Sequence, residues 1–164
     1  MRVLRPSVVH TIGILGLGAP PLAAQARTAI IVTAVVQQPV AVAARHQLVF
    51  GAVMPGMVTT VASGNENAGV FAALGTPGAA ASLTFKLPAE VTVGTTALPV
   101  VAWAGTWTTG SACTATPFTP SRDATPAVFG PNGVLLVLVG ATVQAAPRQH
   151  VGTYTGTLAL TIAY

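Results

Sequence analysis

The chain has 164 residues, 52% of them hydrophobic and 6% charged, with a formal net charge of +4. That length suits one domain with a substantial core. Beyond the N-terminus every apolar stretch approaching about 20 residues is broken by Gly, Pro, Thr, Asn or Gln, which excludes a helical membrane protein, and the few scattered cations argue against a nucleic-acid-binding stripe.

Residues 1–26 begin with Arg2 and Arg5, continue through a short apolar run at residues 8–17, and end on Ala24-Gln25-Ala26. A positive start, a short apolar centre and an A-x-A site make a secretory signal peptide, cleaved after Ala26. Pro20-Pro21 and the shortness of the run speak against an anchoring helix. The GILGLG inside it has dinucleotide-loop spacing but no preceding strand, and is set aside. The expected mature chain is therefore a single domain over residues 27–164, exported to the periplasm, the cell surface or the medium, with no membrane span after cleavage. Its charges are Arg27, Arg45, Lys86, Arg122 and Arg148 against Glu66, Glu90 and Asp123, a net +2.

With 17 glycines, 13 prolines and many threonines and valines, the remainder reads as strands joined by turns. A β-branched strand is expected over residues 29–36, stopped by Pro39 and followed by an extended piece. Residues 47–56 follow, with Leu48, Phe50 and Ala52 on one face and a turn at Pro55-Gly56. Residues 59–62 stay extended, and residues 63–69 form a polar loop. Strands are expected at 70–74, 82–87, 91–93 and 98–107, with a possible bulge at Gly105. Residues 108–127 read as loop. Asn132-Gly133 is a hairpin signal, and long strands are expected at 134–143 and 153–163.

In that last stretch Tyr154, Leu158, Leu160, Ile162 and Tyr164 alternate with small or hydroxylated residues, the period of a half-buried strand. About eight short strands with frequent turns predict an all-β, antiparallel β-sandwich with Greek-key connections, a closed barrel being the competitor. Phe50, Phe85, Leu136, Leu138, Leu158, Leu160 and Ile162 are expected in the core.

Residues able to do chemistry are sparse. His150, Asp123 and Ser121 make a triad only on paper, since no serine has a nucleophile-elbow context. His46 and His150 are isolated, without metal-ligand spacing. Asn65, Glu66 and Asn67 offer one carboxylate, too few for a good calcium site. No catalytic residue, cofactor or metal is expected. Trp103 and Trp107 fall on one face of a strand, where a pair of exposed indoles would suit a sugar ring and a buried pair would fill a core of small residues. Cys113 is the sole cysteine, leaving a free thiol or a link between chains.

LVFGAVMPG at residues 48–56, GVFAALGTPGAAASLTFKLP at 69–88 and GTYTGTLALTIAY at 152–164 resemble the recurring patterns of a bacterial exported family, the domain of unknown function 4402. The resemblance spans residues 28–164, and its last motif is shared with fimbrial and spore-coat-U-like proteins. The segment from Trp107 to Val128 departs from any pattern. The family has no established activity. The resemblance implies an immunoglobulin-like, pilin-like sandwich, and a non-enzymatic structural or adhesive role. In pilins of the chaperone–usher kind, a C-terminal strand with a near-terminal Tyr is the edge to which a periplasmic chaperone or the next subunit adds a strand. By that resemblance the strand-addition edge is Gly152, Tyr154, Leu158, Leu160, Ile162 and Tyr164. Residues 27–36 would then be either an intrinsic first strand or a donor. The alternative is a secreted or periplasmic carbohydrate-binding module using Trp103 and Trp107.

Overall fold

The computed structural model describes residues 33–34, 36, 38–110 and 115–164. The expected signal peptide with Ala24 and Ala26, most of the strand expected over residues 29–36, and Cys113 lie outside the described residues. The chain divides into two units, Met1–Ala34 and Val35–Tyr164. Only Thr33 and Ala34, both exposed, are described in the first.

Among the described residues there are ten strands and no helix: β1 (Ala41–His46), β2 (Val58–Val61), β3 (Gly69–Leu74), β4 (Ala80–Lys86), β5 (Glu90–Val93), β6 (Thr96–Thr108), β7 (Thr116–Phe118), β8 (Thr125–Val128), β9 (Val134–Gln144) and β10 (Ala159–Ala163). All pair antiparallel. The larger sheet runs β1-β3-β9-β6-β5, with β2 also on β9 and β7 also on β6. The smaller sheet runs β10-β4-β8. The two close on a core made by Leu83 and Phe85 of β4, Phe129 beyond β8, and Leu135, Val137 and Val139 of β9. This is the expected all-β, antiparallel sandwich.

β9 is the spine, because both its flanks are taken along almost its whole length. β6 covers one side from Leu136 to Val143, while β3 and then β2 share the other. Its inward face is the odd row, Leu135, Val137, Val139, Ala141 and Val143, all buried. Leu136 and Leu138 are half-buried on the opposite face, so the expected core row was one residue out of register. Over residues 134–139 Leu and Val occupy both rows, so period-2 patterning carries no contrast there; only the second half, with Thr142 and Gln144 on the even row, marks the outer face. Leu135→Ala is expected to lose ~2–5 kcal/mol in urea unfolding, and Leu136→Ala markedly less. The reverse order would restore the other register.

Three further elements differ from expectation. The loop expected at 108–127 contains β7 and β8, each too short to show a period. The Asn132-Gly133 turn, with Gly133 at φ 70°, does not close a hairpin: it carries the chain from β8 in one sheet to β9 in the other. Residues 47–53 form no strand, and Gly51, at φ 69°, takes the backbone out of the extended region midway.

Gly105 is not bulged. Trp103, Gly105 and Trp107 pair in regular register with Ala141, Val139 and Val137, and the shift lies between Val100 and Ala102 instead. Phe118, opposite Gly105 on β7, lays its ring over the glycine: a Cβ there would meet Phe118 Cζ at 2.5 Å. The ring fills the notch that the missing side chain leaves and stacks on Phe85 at 5.6 Å, a cross-strand rescue of a strand glycine.

Candidate functional site

The stretch from Gly152 to Tyr164 is not one strand but a segment that changes sheets. At Thr155 it makes an isolated bridge to Thr92 of β5, both N–H···O=C bonds at 2.9 Å. From Ala159 it pairs with β4 in the smaller sheet. Two glycines permit the first contact. A Cβ at Gly156 would stand 2.8 Å from Val91 Cγ1, and one at Gly152 3.1 Å from Val93 Cγ2. The segment therefore lies flat on β5 before it crosses to β4.

Tyr154 holds the crossing. Its hydroxyl donates to the His150 carbonyl at 2.7 Å and accepts from Gln149 Nε2 at 2.7 Å, and the same amide donates to the Ala97 carbonyl of β6 at 2.9 Å. Tyr154→Phe leaves the Gln149 amide and the His150 carbonyl short of a partner. A loss of ~1–3 kcal/mol in thermal or urea unfolding is expected.

Tyr164 fastens the other end. Its hydroxyl accepts from the Thr76 N–H at 2.6 Å and donates to Thr76 Oγ1 at 3.2 Å, and its ring packs on Phe129 at 6.0 Å. Gln38, just before β1, donates its N–H to the same Thr76 Oγ1 at 2.8 Å. At the opposite end Ala44 and His46 of β1 share a cleft with Leu158. So β1 and β10 run antiparallel along one side of the sandwich, one as the edge of each sheet.

That side is open. Directly opposed residues share a face, so Val42, opposite the buried Ala73, faces the interior; yet it is 40% exposed. Leu160 and Ile162 oppose Phe85 and Leu83, both fully buried, and are themselves only half-buried. Among the described residues, the inner faces of both edge strands are incompletely covered. Beyond β1 the opening widens into a cleft of about 890 Å³ between residues 46–53 and 150–158, with Val91, Leu98, Val100 and Trp103 between the walls. No Asp, Glu, Lys or Arg lines it. Among the described residues no ladder runs along residues 47–53, which are joined to the fold through the Val49 N–H on the Asn67 carbonyl at 2.9 Å.

The structure thus gathers Gly152, Tyr154, Leu158, Leu160, Ile162 and Tyr164 along one side, but in unequal roles. Leu158, Leu160 and Ile162 present the incompletely covered row, while Gly152, Tyr154 and Tyr164 fasten the segment down. The second wall, with Leu48, Phe50 and Val53, was not singled out from the sequence as part of a site. Its signal was the Leu48–Phe50–Ala52 alternation, a strand pattern that finds no ladder partner among the described residues.

The polar residues on the cleft are largely engaged within the chain: His46 Nδ1–H donates to the Ala68 carbonyl at 3.0 Å, and Gln149 and Tyr154 bond as above. Trp103 and Trp107 face inward, half-buried against the core, rather than forming a platform on the outer face. Ser121 Oγ donates to the Asp123 carbonyl at 3.3 Å, whereas His150 lies on the cleft. Asn65 Oδ1 accepts from the Asn67 N–H at 2.9 Å and closes its own turn. Among the described residues no three His, Cys, Asp or Glu side chains converge, and no polar or charged side chain is buried.

No curated protein and no solved structure matches the chain. The family model described as "Domain of unknown function (DUF4402)" matches residues 40–164, which takes in every strand from β1 to β10. The chain belongs to the DUF4402 family.

Proposed function

We propose that this chain is an exported, non-enzymatic structural or adhesive surface protein, a pilin-like, immunoglobulin-like sandwich that assembles by accepting an extended segment along its open side. The observation that carries the reading is the inward-facing but, among the described residues, incompletely covered row of Val42, Leu158, Leu160 and Ile162. An added strand would supply both things that side lacks: main-chain partners for an edge and alternate side chains for the row. Soluble proteins normally blunt such edges with charges, prolines or bulges. β10, reading ALTIA and paired without interruption, has none of these. The sequence adds a positive start, a short apolar run and Ala24-Gln25-Ala26, which direct export and cleavage. The partners are other subunits or a periplasmic chaperone. The carbohydrate-binding alternative has less support, since both indoles face the interior.

Cell fractionation with N-terminal sequencing should find the chain outside the cytoplasm, beginning at Arg27. Leu158 is half-buried and packs against the core, so Leu158→Asp is first checked for a cooperative urea transition; the folded variant should then fail to form high-mass surface assemblies. A cytoplasmic chain retaining residues 1–26, or assemblies indifferent to Leu158→Asp, would overturn the reading.

A further inference from the structure

We propose that the strand added to this open side is residues 28–36, TAIIVTAVV, of a second copy of the chain. This rests on the strand-acceptor reading above and names the occupant.

Four observations point to this segment. Its nine residues carry no charge and include seven β-branched side chains, matching a cleft lined by no charged residue. Past Thr28 at its outer end, its even row of Ile30, Val32, Ala34 and Val36 is apolar, as a strand laid over Leu158, Leu160 and Ile162 requires. At about 3.3 Å per residue it spans roughly 30 Å, enough to run the length of β10, about 17 Å, and on past Leu158 toward Tyr154. Finally, Val36 is 95% exposed, so the last residue of the segment lies outside its own core, just before Gln38 is held at Thr76.

Every copy then offers one segment and one open side, and the two surfaces differ. Such a contact is heterologous and does not close on itself, so it propagates into an open chain of subunits.

Disulfide trapping tests this on the full-length exported chain with Cys113→Ser. One preparation, isotopically labelled, carries Ile30→Cys, Ile31→Cys, Val32→Cys or Thr33→Cys, one at a time. The other, unlabelled, carries Ala44→Cys on the cleft. The expected result is a disulfide between labelled and unlabelled copies that alternates along the segment, and a ladder of masses when one chain carries both cysteines. Bonds only within single chains, or none at any position, would overturn the proposal.

Two synthetic peptides separate this proposal from the reading beneath it: residues 28–36, and an unrelated alternating Val/Thr nonamer. Each is added while hydrogen exchange at β10 and residues 47–53 is followed. If the unrelated peptide protects those amides and trapping finds no intermolecular bond, the acceptor side stands and the occupant is wrong. If neither peptide protects them, both readings fall. Protection by residues 28–36 but not by the nonamer, together with alternating trapping, supports the proposal.

Discussion

Phe85→Ala is expected to lower the stability of the chain by ~3–5 kcal/mol, measured as the shift in urea midpoint at unchanged slope. Phe85 is 1% exposed at the centre of the smaller sheet. It opposes Leu160 of β10 across the ladder and stacks on Phe118 of β7, which belongs to the larger sheet. Truncation would empty the middle of the core and remove an aromatic pair worth a further ~0.5–1.5 kcal/mol. Phe118 would lose its neighbour on one side while Gly105 lies bare beneath it, so collapse into the cavity has little to draw on. Against a total stability of about 5–15 kcal/mol, a loss of this size leaves a marginal protein. Phe85→Leu should cost clearly less. Equal effects of the two substitutions would mean that Phe85 does not join the sheets as described.

Gly140→Ala is expected to be at least as damaging, through one added methyl group. Gly140 lies where the flank of β9 passes from β3 to β2: Val139 opposes Gly69, and Ala141 opposes Val61. A Cβ there would run into the Val61 carbonyl oxygen, with the Ala62 carbonyl carbon and the Ser63 nitrogen at 2.7 Å. These are backbone atoms at and just past the end of the β2–β9 ladder, and unlike the tip of a side chain they cannot swing away. Relief requires β2 to separate from β9, and overpacking of this kind costs ~1–3 kcal/mol or more even among side chains. Gly64→Ala is the control, since its Cβ would meet no atom within 4 Å. The expected result is loss of a cooperative unfolding transition, or a much lower midpoint, for Gly140→Ala beside a near-normal Gly64→Ala. Indistinguishable midpoints would refute this close contact.

The all-β class, most strand positions, the polar loop at 63–69 and the alternation of the last segment were legible in the sequence alone. Each is a local matter of β-branched content, turn residues and a side-chain period of two, all of which residues carry wherever they are placed. The row Leu158, Leu160 and Ile162 belongs with these. Its alternation with small residues set it on one face before any partner was known.

The tertiary structure decided which row faces inward over the first half of β9, because Leu135 and Leu136 differ only in what packs against them and the rows diverge in the sequence only later, at Thr142 and Gln144. It decided that β7 and β8 are strands, since three or four residues acquire that conformation from a ladder partner rather than from their own preference. It turned an Asn-Gly hairpin signal into a link between sheets, because a turn specifies a local reversal and not which sheet receives the next strand. The open side was the least legible feature of all. An incompletely covered row leaves no mark in any single segment. It shows only when Val42 on β1 and Leu160 on β10, 118 positions apart in the chain, both face an interior that no described residue fully covers.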